Sequence, residues 1–184
     1  MKKLLLVTGD IAAGKTTFSQ ILSKRYQVAV FQKDTIKEFL GDCIGFRNRE
    51  ENKALSNATI KIMYHIFSRI AVTGSALILE ANFHESELSQ LHLIARENGY
   101  EVLTLVLRGD ADILYQRYLH RMKEENRHPV HLSTTIDVKE DFVKTAEWIR
   151  QENVIGKTLV INASDFSYQK DSCLLGNIDS FMAE

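Results

Sequence analysis

Short apolar runs alternate with longer amphipathic segments along almost the whole chain, a pattern that is typical of a sheet whose strands are connected by helices. The runs that predict buried strands lie at 3–8, 27–31, 76–79, 100–107 and 158–161. Between them, apolar residues recur every three or four positions, as on one helical face. The segments that predict helices lie at 17–25, 35–40, 51–72, 86–98, 110–124, 138–152 and from 169 onwards. This alternation predicts a three-layer α/β/α fold, in which right-handed crossovers place helices on both faces of a parallel sheet.

The longest predicted helix, at 51–72, has an apolar face wide enough to predict that the helix is well buried. That face consists of Leu55, Ala58, Ile62, Ile66 and Ile70, and it is widened by Met63, Phe67 and Ala71. Gly74 is expected to end the helix because glycine readily adopts the left-handed conformation that closes helices. Neither a repeat nor a linker interrupts the chain, so the sequence predicts one domain over 1–184.

The composition narrows the class of protein. Hydrophobic residues make up 45% of the chain, which predicts a globular protein with a substantial core. The net charge of −1 argues against a dedicated nucleic-acid binder or a basic membrane anchor, and no apolar run is long enough to span a membrane. Cys43 and Cys173 show neither metal-type nor redox spacing, so we expect free thiols and a cytoplasmic protein. Nothing in the composition indicates the oligomeric state.

The segment Gly9-Asp10-Ile11-Ala12-Ala13-Gly14-Lys15-Thr16 matches the phosphate-binding loop pattern G-x-x-x-x-G-K-[ST] at every fixed position. It lies between a predicted strand and a predicted helix, where backbone N–H groups and a helix N-terminus point at a polyphosphate. We expect Lys15 to contact the β- and γ-phosphates and Thr16 to offer its hydroxyl to magnesium. The whole segment, together with Thr17, is expected to bind the nucleotide. The alternative is a tight strand-to-helix turn with a solvated lysine.

A second acidic position follows the apolar run 77–79. Glu80 ends this predicted strand as the acidic residue of a Walker B element does, and it is expected to face Thr16 across one magnesium site. Glutamate is longer than the more usual aspartate, so Glu80 could instead hold a metal-bound water or act on the substrate. Asn82 would point to the same side of an extended chain, where it could bind a substrate hydroxyl. The alternatives are a solvent-exposed acid for Glu80 and turn formation for Asn82.

Asp34 follows the second predicted strand, at the end where open α/β sheets bind their ligands. There its carboxylate would orient or deprotonate an acceptor hydroxyl. The same residue is also suited to cap the following helix, and one carboxylate serves only one of these roles well. Lys37 lies three residues further on, a spacing that resembles the acid and basic pair of polynucleotide 5′-hydroxyl kinases.

A cluster of basic residues predicts a lid over the site at about 117–137. Arg117 and Arg121 share one helical face, where like charges repel unless an anion or an aromatic base lies against them. Arg127 and His128 follow in a polar segment at 125–135. Such a lid would close positive charge over the phosphate that is transferred. The alternative is an ordinary solvated helix.

Together these residues resemble the phosphate-loop kinases of the zeta-toxin-like, chloramphenicol-phosphotransferase-like group, also labelled AAA-33. The resemblance rests on the loop 9–16, Asp34, the segment 79–83, Arg117 with Arg121, and the segment 127–131. It implies a parallel sheet in the order 2-3-1-4-5, ATP with magnesium, and transfer to a hydroxyl group. It also implies that Arg117 stacks on adenine and that Arg121 and Arg127 meet phosphates. The loop residues Asn162 and Asp165 would flank the base.

We therefore predict a cytoplasmic ATP-dependent kinase that phosphorylates a hydroxyl of a small molecule. The expected catalytic residues are Lys15, Asp34, Arg121 and Arg127, and the expected substrate-binding residues are Asp34, Lys37, Glu80 and Asn82. The alternatives are a nucleotide-gated switch that hydrolyses ATP, a polynucleotide 5′-hydroxyl kinase and a GTPase. The low net charge argues against the polynucleotide kinase because nucleic-acid backbones require a basic track. The chain has no Asn-Lys-x-Asp segment that would read guanine, which argues against the GTPase.

Overall fold

The computed structural model describes residues 2–124, 127–132, 136, 138–152 and 154–183, and at 124 and 132 it describes the backbone alone. The strands are β1 (Lys3–Gly9), β2 (Ala29–Gln32), β3 (Leu77–Glu80), β4 (Glu101–Arg108) and β5 (Lys157–Asn162). The helices are α1 (Lys15–Tyr26), α2 (Lys33–Ile44), α3 (Arg49–Thr73), α4 (Glu85–Glu97), α5 (Ala111–Glu124), α6 (Pro129–Leu132), α7 (Lys139–Gln151) and α8 (Ser172–Ala183), with a 3₁₀-helix at Ser167–Lys170. None of the helices in the described part of the chain is both long and apolar enough to cross a membrane.

The strands form one parallel sheet in the order β2-β3-β1-β4-β5, which confirms the predicted fold class and the order implied by the family resemblance. β1 is the central strand, and it is buried throughout because β3 and β4 flank it and helices cover both faces. In the register of the sheet, Val7 pairs with Glu80, and Glu80 pairs with Gln32. The segments that follow β1, β2 and β3 therefore meet at one edge of the sheet.

Two hydrophobic cores lie between the sheet and its helices, and β1 contributes alternate residues to each. Leu5 and Val7 pack in the first core with side chains of α1, α5, α7 and α8. Leu4 and Leu6 pack in the second core with side chains of α3 and α4. Because side chains alternate between the two faces of a strand, one apolar strand serves both cores, and the result is the three-layer α/β/α architecture.

The buried face of α3 is displaced from the predicted one. Met63, Phe67 and Ala71, which the pattern assigns only to the edge of that face, are buried in the second core. Ile62 and Ile66, which the pattern assigns to its centre, are only partly buried. Apolar residues surround much of this helix, so its periodicity alone does not determine which row of side chains is buried. Packing against the sheet determines it.

Two further differences concern elements near the carboxyl edge of the sheet. α2 begins two residues earlier than predicted, at Lys33 instead of 35, so Asp34 lies in its first turn. The polar segment after α5 contains the short helix α6, where the pattern predicts no element. Val130 of α6 is fully buried against α2, and a Cβ added at Gly41 would overlap its side chain. The positions 125–126, 133–135 and 137 of the predicted lid lie outside the described residues.

Gly9, the last residue of β1, is expected to tolerate no side chain. Its φ of 122° is a conformation that other residues rarely adopt, and an added Cβ would overlap the backbone carbonyl of Leu107 in β4. We expect Gly9→Ala to lower the free energy of unfolding by roughly 3 kcal/mol or more, as denaturant titration followed by circular dichroism would measure. The control is Gly74→Ala, where φ is also positive but an added Cβ meets only ordinary contacts, and a loss of only about 1–2 kcal/mol is expected. Equal losses for the two variants would show that the overlap with Leu107 is readily relieved.

Candidate active site

A cavity of about 880 Å³ opens at the carboxyl edge of the sheet, between the phosphate loop, α2, α3, α5 and the lid. The residues predicted to form the site that line this cavity are Ile11, Ala12, Ala13, Gly14, Lys15, Thr16, Thr17, Asp34, Lys37, Glu80, Asn82, Arg117, Arg121 and Arg127. Those that do not line it are Gly9, Asp10, Asn162 and Asp165. The cavity therefore brings together residues from five separate parts of the chain.

The phosphate loop contains left-handed residues that let its backbone N–H groups converge. Ala12 and Gly14 have φ angles of 61° and 84°, and Gly14 is also the N-cap of α1. A concave run of N–H groups of this kind binds anions. Tyr168 supports the loop because its hydroxyl donates to the carbonyl of Ala13 at 3.0 Å and its ring packs edge-on against Phe18. A Cβ added at Gly14 would lie only 2.7 Å from this hydroxyl, so Tyr168 is one reason that the loop requires glycine there.

Lys15 and Glu80 form the charged centre of the cavity. The Lys15 ammonium donates to the carbonyls of Gly9 at 3.2 Å and Asp10 at 2.7 Å, so it lies across the loop. Burial lowers the pKa of Lys15, and the nearby carboxylates of Glu80 and Asp34 oppose that shift. Burial likewise raises the pKa of Glu80, which is only 5% exposed, and the charge of Lys15 opposes the rise. Each of the two charges therefore reduces the cost of burying the other.

Thr16 and Glu80 bring together, in the lining of the cavity, two oxygen atoms that could both bind a metal ion. The Thr16 hydroxyl donates to Glu80 Oε2 at 3.1 Å. Magnesium prefers oxygen ligands of this type and commonly takes its remaining ligands from phosphates and water. Within the described residues, no group of three or more His, Cys, Asp or Glu side chains is arranged to hold a metal ion. The pair therefore fits a magnesium ion that would take its other ligands from a nucleotide and water.

The raised pKa of Glu80 leads to a prediction about stability. In the unfolded chain this carboxyl ionises near its ordinary value, so the folded state binds its proton more tightly and loses stability as the pH rises through the raised pKa. Glu80→Gln keeps the shape of the side chain without the charge. We therefore expect the variant to have a higher Tm than the wild type at pH 8 in the absence of nucleotide, and the difference to shrink towards pH 4. Thermal melts across this range, with Glu97→Gln as an exposed control, measure the effect, and a lower Tm at pH 8 would contradict it.

Asp34 does not cap α2. The N-cap position is occupied by Gln32, whose side-chain amide instead donates to the carbonyl of Thr16 at 3.1 Å and to the hydroxyl of Ser19 at 2.9 Å. The exposed carboxylate of Asp34 is near enough to Lys15 for its charge to oppose the burial that lowers the pKa of that ammonium. Because the alternative role as a cap is not used, this carboxylate remains available to a molecule in the cavity.

The described part of the lid is docked on α2 and α3. The carbonyl of Val130 accepts hydrogen bonds from Lys37 Nζ at 3.3 Å and from Asn52 Nδ2 at 2.8 Å. Lys37 thus lines the cavity, but its ammonium supports the lid, and burial lowers its pKa. Two histidine–carboxylate pairs accompany this contact: His128 with Asp42 at 2.9 Å, and His131 with Glu38 at 2.8 Å. The lid is therefore held to α2 by polar contacts at several successive positions.

Asn82 presents an acceptor that no described residue satisfies. Its Oδ1 atom is buried and has no hydrogen-bond partner among the described residues, although the residue lines the cavity. The turn after β3 is held instead by Phe83, whose N–H donates to the hydroxyl of Thr8 at 3.2 Å. A buried carboxamide oxygen without a donor is costly, so this position would favour a water molecule or a hydrogen-bond donor of a bound molecule.

Arg117 connects α5 to the loop after β5. Its guanidinium lies 4.0 Å from the centroid of the Phe166 ring and donates to the carbonyls of Ala163 and Ser164, each at 2.7 Å. Phe166 was missed by sequence analysis, although it is half exposed and lines the cavity. An exposed aromatic residue in a loop at the carboxyl edge of the sheet is the signal that could have found it. The contact of Arg117 with adenine stays a prediction.

Asn162 and Asp165 shape the same loop. Asn162 Oδ1 accepts from the N–H of Ser164 at 3.0 Å, and Asp165 Oδ1 accepts from the N–H of Ser167 at 2.8 Å. The hydrogen bonds from Ser167 lower the pKa of Asp165. These side chains bond to their own loop, and the loop residue that lines the cavity is Phe166.

The remaining basic residues of the predicted lid also lie on the cavity. The charge of Arg121 adds slightly to the burial that lowers the pKa of Lys15, and it slightly opposes the burial that raises the pKa of Glu80. Arg127 Nη1 lies 3.3 Å from the sulfur of Met122, and its side chain lines the cavity as well. Arg117, Arg121 and Arg127 thus contribute three guanidinium groups to the lining of the cavity.

Asp10 belongs to the phosphate loop, but its side chain does not line the cavity. Its carboxylate is fully buried, pairs with Arg150 of α7 at 2.6 Å and accepts from the N–H of Gly109 at 3.0 Å. Arg150 was not identified from the sequence, because it stands 140 positions from Asp10 and no local pattern connects the two. The ion pair thus joins the phosphate loop to α7, the helix that follows the predicted lid.

Comparison with known proteins gives one family and many solved structures. A family model described as an AAA domain, AAA_18, matches residues 5–142, and no curated protein matches the chain. A candidate kinase from Chloroflexus aurantiacus is 23% identical with a TM-score of 0.77, over 98% of this chain and 97% of its own. Kti12 from Chaetomium thermophilum, solved with ADP-AlF3, is 14% identical with a TM-score of 0.66, over 96% and 97% of the two chains. A sugar kinase from Janibacter sp. is 15% identical with a TM-score of 0.64, over 100% and 98%.

Proposed function

This chain belongs to the AAA domain family described by the AAA_18 model, and we propose that it is an ATP-dependent phosphotransferase that transfers the γ-phosphate to a hydroxyl of a small molecule. The observation that carries the proposal is the convergence of Lys15, the Thr16–Glu80 pair and Asp34 on one cavity. Solved structures with the same fold include a sugar kinase and a protein bound to ADP-AlF3, which supports the proposal at the level of fold.

In the proposed complex the phosphate loop and Lys15 bind the triphosphate. Lys15 exchanges its hydrogen bonds to the carbonyls of Gly9 and Asp10 for bonds to the β- and γ-phosphates. Thr16 and Glu80 would hold a magnesium ion, whose charge would neutralise part of the phosphate charge. Phe166, together with the Arg117 guanidinium stacked on it, forms the wall for the base.

The acceptor binds on the side of Asp34. Its hydroxyl oxygen attacks the γ-phosphorus, the bond from that phosphorus to the bridging oxygen of ADP breaks, and the hydroxyl proton passes to the Asp34 carboxylate. Asn82 Oδ1 accepts a hydrogen bond from a second donor of the acceptor, which explains its lack of a partner among the described residues. The products are ADP and a phosphomonoester. A cavity of about 880 Å³ that must also hold the triphosphate supports an acceptor that is a small molecule.

The lid provides positive charge and excludes water. Arg121 and Arg127 neutralise charge that develops on the transferred group, and the docking of Val130 on α2 closes the acceptor side. Cys43 and Cys173 are both exposed free thiols, which supports a reducing compartment, and we place the enzyme in the cytoplasm.

A nucleotide-gated switch is the second candidate, and the docked lid favours it. The contacts of His128 with Asp42 and of His131 with Glu38 hold these residues of the predicted lid in one defined position on α2, and a two-state element requires at least one such position. A switch would use the same nucleotide site but would release inorganic phosphate.

Transfer of label from [γ-³²P]ATP to a panel of sugars, polyols and hydroxy acids tests the proposal. We expect at least one compound to stimulate formation of ADP and to carry the label in an acid-stable phosphomonoester. Label found only in inorganic phosphate, at a rate that no compound changes, would support the switch instead.

A further inference from the structure

The phosphate loop contains a carboxylate at its second position. The Asp10 side chain is fully buried, so solvent does not screen its charge. Its backbone is part of the site, because the carbonyl of Asp10 accepts from the Lys15 ammonium at 2.7 Å. A loop that binds a polyanion is thus built around an acidic residue, and an uncompensated negative charge there would repel the phosphates.

Arg150 compensates this charge through several contacts. Its Nε atom lies 3.1 Å from Asp10 Oδ1 and its Nη2 atom lies 2.6 Å from Oδ2, so the pair is bidentate. Nη2 also donates to the carbonyl of Gly109, whose N–H donates to Asp10 Oδ2 at 3.0 Å. Asp10, Gly109 and Arg150 therefore form one closed hydrogen-bonded unit behind the loop.

We propose that Arg150 is a positioning residue of the nucleotide site, which acts through Asp10 by neutralising the buried carboxylate so that the loop can bind phosphate. The inference rests on the proposed function in that the ligand is the phosphate chain of a nucleotide. Arg150 is outside the cavity lining, so it supports affinity without contacting the nucleotide. A role limited to joining α7 to the rest of the fold would leave nucleotide affinity unchanged in any variant that stays folded.

The test uses three variants of the full chain and the binding of Mg·ATP by calorimetry, at a temperature where circular dichroism shows each variant to be folded. We expect Arg150→Met to raise the Kd on the order of tenfold or more, because the Asp10 charge is then uncompensated. Asp10→Asn removes that charge and can still accept from Gly109, so its Kd should stay within about threefold of the wild type or fall. The double variant Asp10→Asn with Arg150→Met should recover a Kd within about threefold of the wild type. The expected result is thus that Asp10→Asn restores the affinity for Mg·ATP that is lost in Arg150→Met.

The matched control is Arg25→Met, which removes another bidentate arginine–aspartate pair. Arg25 Nε lies 2.8 Å from Asp179 Oδ1, both side chains are substantially exposed, and neither residue lines the cavity. Its Kd should equal that of the wild type. A folded Arg150→Met with wild-type affinity, or a double variant that binds as weakly as Arg150→Met, would overturn the inference. Arg150→Met alone does not test the inference if that variant fails to fold. In that case the inference would be overturned by a double variant whose Kd is more than about tenfold above that of the wild type. Failure of the wild type itself to bind Mg·ATP would instead overturn the proposed function.

Discussion

Lys15→Ala is expected to reduce the rate of phosphoryl transfer on the order of a thousandfold or more, with little loss of stability. The ammonium is the positively charged group of the loop, and the loss of one such group in a preorganised site costs about this factor. Burial lowers the pKa of Lys15, so its charge costs stability in the free protein, and alanine removes that cost together with the attraction to Glu80. Activity and stability are therefore expected to separate in this variant.

Initial rates with labelled ATP and thermal melts measure the two effects of Lys15→Ala. The matched control is Lys24→Ala, an exposed lysine on the same helix, which should leave both unchanged. A Lys15→Ala variant that transfers phosphate within tenfold of the wild-type rate would contradict the proposed role of the ammonium.

Asp34→Asn is expected to lower kcat for transfer by roughly a hundredfold to ten-thousandfold, with little change in the KM for ATP. The carboxamide keeps the size of the side chain but does not accept a proton from the acceptor hydroxyl. Asp34 is not an N-cap and has an exposed side chain, so the loss of its charge should affect the fold very little.

The same variant distinguishes the two candidate functions. In a phosphotransferase, the slow hydrolysis of ATP by water should be much less sensitive to Asp34→Asn than transfer is. In a switch, hydrolysis is the only reaction, and it should be indifferent to the substitution. Asp141→Asn on the exposed side of α7 is the matched control, because within the described part of the chain the contact of that carboxylate is a solvent-exposed one with Lys144 at 3.4 Å. Equal transfer rates for Asp34→Asn and the wild type would exclude a catalytic role for this carboxylate.

The elements and the phosphate loop were predictable because their signals are contiguous in the chain. Four of the five strands were predicted to within one residue at each end, and Gly74 ends α3 with a φ of 74° as expected. α6 was missed because a helix of four residues is too short to show a periodic pattern of apolar residues. The burial of Val130 in α6 could not be predicted either, because it depends on contact with α2.

The arrangement around the site was predictable only in part. That Asp34, Glu80 and the loop share one edge follows from the parallel order of the sheet, because the carboxyl ends of its strands align. The Lys37 ammonium donates to the carbonyl of Val130 in the predicted lid. The position of Lys37 near Asp34 does not predict this contact, because Val130 lies 93 residues away. Sequence spacing thus identified most of the polar residues that line the cavity, but it missed Phe166 and did not identify the atoms to which these residues bond.

The sequence by itself determined the α/β alternation, the phosphate loop and the acidic residues that follow two of the strands, because backbone periodicity and loop conformation are local properties. Only the tertiary structure decided which row of α3 is buried, that Tyr168 supports the loop, and that Arg150 pairs with Asp10. The physical reason is that these contacts join side chains distant in sequence, and their free energy exists only after the sheet and both helical layers have packed.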